Sequence, residues 1–193
     1  MNAYELPTSL NIGGVSFSIR TDFRAVLDIL IAQNDPNLDE YGKMEVMLKV
    51  LYEDWQSIPE DRLEEALKKA SEFIDCGQKE SNPNKPKPRL IDWEQDGDMI
   101  VPAVNKVAGT EVRAASYMHW WTFFSYFMEV GESLFSTVLG IRSKKAHGER
   151  LEKWEKKFYH DNKDIIDMKT KLSDEEQEHK DALNEKLNRL GGG

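Results

Sequence analysis

Residues 117–130 read YMHWWTFFSYFMEV, the most apolar run in the 193-residue chain. Such a run dictates much of what the chain can fold into. At 100° per residue its polar members, His119, Thr122, Ser125 and Glu129, fall on one narrow stripe, and every other face is aromatic or aliphatic. A helix of that kind has to be covered by its own chain or by a partner. Fourteen residues are too few to span a bilayer, and no apolar run elsewhere reaches the roughly 18 residues a membrane helix needs. No membrane partner is expected.

The rest of the chain offers enough apolar pattern to provide that cover. Leu10 and Ile12, then Val15, Phe17 and Ile19, alternate with polar residues on either side of Gly13-Gly14. That pattern predicts a β-hairpin with a two-residue turn at positive φ, one face against a core. Thr21 or Asp22 can cap a helix bearing Phe23, Val26, Leu27, Leu30 and Ile31, which the turn cluster Asn34 to Asn37 ends. Tyr41, Met44, Met47, Leu48, Leu51 and Trp55 form a second helical stripe. Pro59 opens a third, carrying Leu63, Ala66, Leu67, Ala70 and Phe73–Ile74 and closed by Gly77.

Residues 78–89, QKESNPNKPKPR, hold three prolines and no large apolar side chain, and so read as an extended linker. Beyond it Asp92 can cap a helix with Met99, Ile100, Ala103, Val104 and Val107, in which Pro102 is expected to cause a kink or a stop. The 117–130 helix follows, then one from Ser133 through Ile141. A charged helix is next, with Leu151, Trp154, Phe158 and Ile165 on one stripe and Glu149–Lys153 and Glu152–Lys156 pairs along it. Ser173 to Glu176 is a capping-box signature for a last helix carrying Leu183, Leu187 and Leu190. The expected fold is therefore mainly α: a small N-terminal β-hairpin followed by a helical bundle in two packed parts. Their expected bounds are 1–77 and 90–190, joined by the Pro-rich linker 78–89.

Chemistry-bearing motifs are few. Asp92, Glu94, Asp96, Gly97 and Asp98 imitate the opening of a calcium loop, but the twelfth position is Ala103 instead of a bidentate glutamate. An acidic first helical turn, favoured by the helix dipole, explains the same residues. The histidines 119, 147, 160 and 179 form no zinc spacing, and Cys76 is the single cysteine, so an internal disulfide is excluded. Gly13-Gly14 opens no phosphate loop and there is no GxSxG, so no enzymatic activity and no cofactor are expected. Met1 to Thr8 lacks the basic-then-apolar order of a secretory signal.

Lys plus Arg number 26 against 35 Asp plus Glu, a net charge of −9, which disfavours sequence-independent nucleic-acid binding. One region runs against that balance. Arg142 to Tyr159 collects Arg142, Lys144, Lys145, Arg150, Lys153, Lys156 and Lys157 around Trp154, Phe158 and Tyr159. A nucleic-acid-binding regulator using the basic strip 142–157 is thus the rival reading, although Glu149, Glu152 and Glu155 at helical spacing argue for a solvated, salt-bridged face.

Four stretches taken in order carry a resemblance: LIDWEQDGDMIVPAVNKVAG, YMHWWTFFSYFMEVGE, LFSTVLGIRSKK and GERLEKWEKKFYHDN. An acidic D-x-E-Q-D helix start, a His-Trp-Trp helix and an I-R-x-K helix resemble the tail assembly chaperones of tailed phages and prophages of Gram-positive bacteria. Those proteins are encoded between the major tail protein and the tape-measure protein. The hairpin opening LPTSLNIGGVSFSIRTDFR suits the same family. The resemblance implies a non-enzymatic role in virion morphogenesis: binding the tape-measure protein while the tail tube polymerises, in the host cytoplasm and absent from the mature virion. Other tail proteins, or a second copy of the chain, are further expected partners. The expected partner-binding residues are His119, Trp120, Trp121, Phe124, Met128, Arg142 and Trp154, with Met44, Met47, Met118 and Met128 as adaptable contacts wherever they are exposed.

Overall fold

The computed structural model describes residues 4–78 and 88–191, with side chains up to 182 in the last helix. Two strands and a set of helices make a mainly α protein, as the patterning predicts. Strands β1 (Ser9–Ile12) and β2 (Val15–Ser18) pair antiparallel with Ile12 opposite Val15. Gly13 and Gly14 lie at φ +58° and +88°, the left-handed pair that a two-residue turn demands. Leu10, Ile12 and Ile19 reach the core, whereas Val15 at the hairpin tip is exposed, because the body no longer lies beneath it.

Helix α1 (Phe23–Ala32) starts on Asp22, whose carboxylate accepts from the Arg24 N–H. Helix α2 (Glu40–Leu51) packs on α1, and α3 (Leu63–Ile74) packs on α2 and on β1. Trp55 falls beyond α2, in a short 3-10 turn. Arg20 reaches across to the end of α2, where its Nη1 donates to the carbonyls of Lys49, Val50 and Tyr52. A guanidinium there satisfies the orphan carbonyls and the negative end of the helix dipole together. Past α3 the chain turns through Cys76 and Gly77, both at positive φ. The linker 79–87 lies outside the described residues.

Helix α4 (Gly97–Ala108) keeps Pro102 inside it and runs on to Gly109 at φ +68°. The proline sits in the second turn, so it removes one early backbone bond without ending the helix. Helix α5 is Trp120–Met128, shorter than the apolar run suggests. Tyr117 to His119 are instead extended, and Asp22 and His119 pair as an isolated antiparallel bridge. Helix α6 (Leu134–Ala146) begins in a capping box between Ser133 and Ser136.

The charged helix expected from Leu151 to Ile165 is two pieces, α7 (Lys153–Asp161) and α8 (Lys163–Ile166), broken at Asn162. Its expected i,i+4 ion pairs are replaced as well. Glu149 precedes the helix, and Glu155 bonds back to the Glu152 N–H and out to Lys144. Helix α9 (Asp174–Gly191) starts in the predicted capping box, Ser173 with Glu176.

One cluster of buried apolar side chains draws on both sides of the linker. Phe23 of α1 stacks on Phe123 of α5 with ring centroids 4.5 Å apart. Around them the backbone closes the joint: Phe23 N–H donates to the Met118 carbonyl and Trp120 N–H to the Thr21 carbonyl.

Candidate functional site

The conspicuous motifs converge on two internal locks. The first belongs to the acidic turn before α4. Asp96 is fully buried, and the Arg142 guanidinium clasps it from α6, Nη1 to Oδ2 at 2.6 Å and Nη2 to Oδ1 at 2.9 Å. Arg142 spends its remaining donors on carbonyls of Leu90, Ile165 and Ile166. A fork with five donors suits this role, since every N–H of a buried guanidinium needs an acceptor.

Asp92 is buried beside it. Its carboxylate accepts from the N–H groups of Glu94 and Gln95 and from Arg89, with Lys171 at 3.7 Å. Burial by itself pushes that carboxyl up. The Gln95 N–H, Lys171, the Glu94 N–H and Arg89 together outweigh burial and hold it below the usual carboxylate range. Asp92 and Asp96 of the calcium-loop mimic are thus turned inward to cations of the chain, whereas Glu94 and Asp98 stay on the surface.

A strap, residues 165–173, crosses this lock. Gln95 donates to the Asp167 carbonyl and accepts from the Lys169 N–H, while Lys171 pairs with Glu94 at 2.6 Å. Asp167 also takes Lys145 and the Tyr159 hydroxyl. The Lys145 hydrogen bond holds the Asp167 carboxyl low, against the opposing effect of burial.

The second lock is the His-Trp-Trp segment. His119 caps α5, its Nδ1 accepting the Trp121 N–H, while Nε2 lies 3.0 Å from the Pro7 carbonyl. The two indoles donate to the end of α3, Trp120 to Ile74 O at 2.8 Å and Trp121 to Phe73 O at 2.9 Å. The three residues therefore tie the N-terminal arm and α3 to α5. Every buried side-chain nitrogen and oxygen among the described residues has a partner.

These placements divide the expected partner-binding residues. His119, Trp120 and Arg142 are buried within the locks. Trp121 and Phe124 are half-buried against the core, with Trp121 also stacked near Phe73. Met128 and Trp154 stand on the surface, 57% and 59% exposed. Ring contacts join the buried and half-buried residues, Trp120 with Phe124 at 5.3 Å and His119 with Trp121 at 6.3 Å between centroids.

The basic strip is divided in the same way. Arg142, Lys144 and Lys145 are committed to Asp96, Glu155 and Asp167. Arg150, Lys153, Lys156 and Lys157 face outward, around Trp154.

A concave surface lies elsewhere, between α2 and α3. A groove of about 390 Å³ has Met44, Met47 and Leu67 as its apolar floor and Glu40, Lys43, Glu64 and Lys68 along its sides. Met44 is 46% exposed there, and Tyr41 stands open on the same helix. The sequence signals half of this groove through two methionines one turn apart. Leu67 reads as core until α3 is placed beside α2, because only their packing leaves it half covered.

A family model described as "Bacteriophage Gp15 protein" matches residues 3–168. No curated protein and no solved structure matches the chain. The match takes in the hairpin, both locks and α7, and the chain belongs to the bacteriophage Gp15 protein family.

Proposed function

We propose that this member of the bacteriophage Gp15 family assists assembly of a phage tail by holding the tape-measure protein as a helical client, through protein–protein contacts and without catalysis. The observation that carries this reading is the α2–α3 groove. A floor of two methionines and a leucine accepts the apolar stripe of an amphipathic helix, and the unbranched thioethers adapt to varied side chains. Charged residues of both signs on its sides match the polar flanks of such a helix. The buried locks contribute rigidity, since they hold α3 and α5 in one body while the groove stays open.

Such a chaperone would work in the host cytoplasm and leave before the virion is finished. The rival nucleic-acid reading is weakened because Arg142, Lys144 and Lys145 are spent on internal carboxylates.

The test is co-expression with the tape-measure protein and affinity capture of this chain at high salt. A soluble, co-purifying tape measure supports the reading, and Met44→Glu with Lys68→Glu should abolish capture while the chain keeps its melting temperature. A tape measure that stays insoluble, or capture unchanged in the double variant, rejects the groove as the client site.

A further inference from the structure

Helix α9 is anchored at its start, and its described side chains lie uncovered. The Asp174 N–H donates to the Asn37 side chain, and the Asn37 amide returns a bond to Asp174. All side chains from 174 to 182 are exposed. Eighteen residues make a rod of about 27 Å. A polar helical segment like 174–182, with no cover on its side chains, is marginal in water and gains its order from something laid against it.

The described part of α9 is strongly acidic, with Asp174, Glu175, Glu176, Glu178 and Asp181 against Lys180. Helical spacing puts Glu175, Glu178 and the small Ala182 on one face, with Asp181 at its edge.

The complement to that face is on α7. Lys153, Trp154 and Lys157 share one exposed face, preceded by the exposed Arg150. Of the carboxylates on α7, Glu155 is held by Lys144, and Asp161 lies exposed at the far end of the helix, beside His160. Trp154, with no neighbour over most of its ring, lies between the cations and would meet Ala182. Neither face is covered among the described residues of one chain.

We propose that α9 of one copy docks along α7 of a second copy and the reverse, so that the chain forms a two-fold dimer in which two equivalent acidic-to-basic helix contacts close on each other. This dimer is separate from the client groove and stands or falls independently of it.

Charge exchange tests it. The full chain is prepared as two variants, one with Glu175→Lys, Glu178→Lys and Asp181→Lys, the other with Arg150→Glu, Lys153→Glu and Lys157→Glu. Light scattering after size exclusion should give twice the 22.3 kDa of one chain for the wild type at low salt, falling toward a monomer at high salt. Each variant alone should be monomeric, because both of its faces then carry one sign. Mixed in equal amounts they should regain a 1:1 dimer, since each α9 again meets an opposite α7, and the recovery also shows that both variants fold.

A wild type that is monomeric at every concentration overturns the proposal. So does a dimer that survives in either variant, or a mixture that fails to dimerise. Retention of single-stranded nucleic acid by a monomeric chain through Lys153 and Lys157 would assign the α7 face to that ligand instead.

Discussion

Arg142 and Asp96 face each other as a bidentate pair with almost no solvent access to either. Removing one partner strands the other charge in the core. Arg142→Met should cost about 3–5 kcal/mol, whereas Arg142→Met with Asp96→Leu should recover much of that loss. Urea unfolding of both variants decides this. A single variant within about 0.5 kcal/mol of wild type would show that the pair does not hold the fold.

His119 joins three elements through one imidazole. His119→Ala removes the cap of α5 and the tether to Pro7, and about 1–2 kcal/mol of stability should go with them. His119→Asn keeps a capping oxygen and should recover part of the cap but not the tether. Equal stability of the two variants would make the Pro7 contact the larger contribution.

Asp92 contributes to the acid limb of stability. Its folded pKa lies below the unfolded value, so its contribution is complete above the ordinary carboxylate range, near pH 4, and is lost as pH falls below it. Asp92→Asn should therefore be destabilised by about 1–3 kcal/mol at neutral pH, with the gap to wild type closing as the solution is acidified below pH 4. Thermal melts of both proteins across that range test the sign.

Cys76 should be slow to react. Burial first, and then Asp75, push its thiol up to about 12, so the thiolate is scarce at pH 8. Iodoacetamide labelling of the native chain should run at least about tenfold slower than in urea, the fraction of thiolate setting the rate. Equal rates would mean that the end of α3 opens freely.

The hairpin, the capping residues and most helix positions could be read from the sequence, because Gly13-Gly14, Asp22, Ser133 and Ser173 each leave a short-range chemical signature. What could not be read depends on distant partners. His119 looks like a member of a polar helical stripe until Asp22 pairs with it and draws residues 117–119 into an extended bridge. Arg142 looks like part of a basic strip, and nothing local links it to Asp96, 46 residues away. Met44 and Met47 were legible as two methionines one turn apart, but the groove they line also needs α3 as its second wall.

The bridge from Thr21–Phe23 to Met118–Trp120 also has an order in time. The amino-terminal hairpin and α1–α3 leave the ribosome first, yet Phe23, Ile74 and Phe73 find their indole, ring and backbone counterparts only in residues synthesised some fifty to a hundred positions later. Contacts so far apart in sequence slow folding and leave a nascent first half with an uncovered apolar face. The growing chain thus spends part of its own synthesis in need of the kind of shelter that the finished molecule is proposed to give its client.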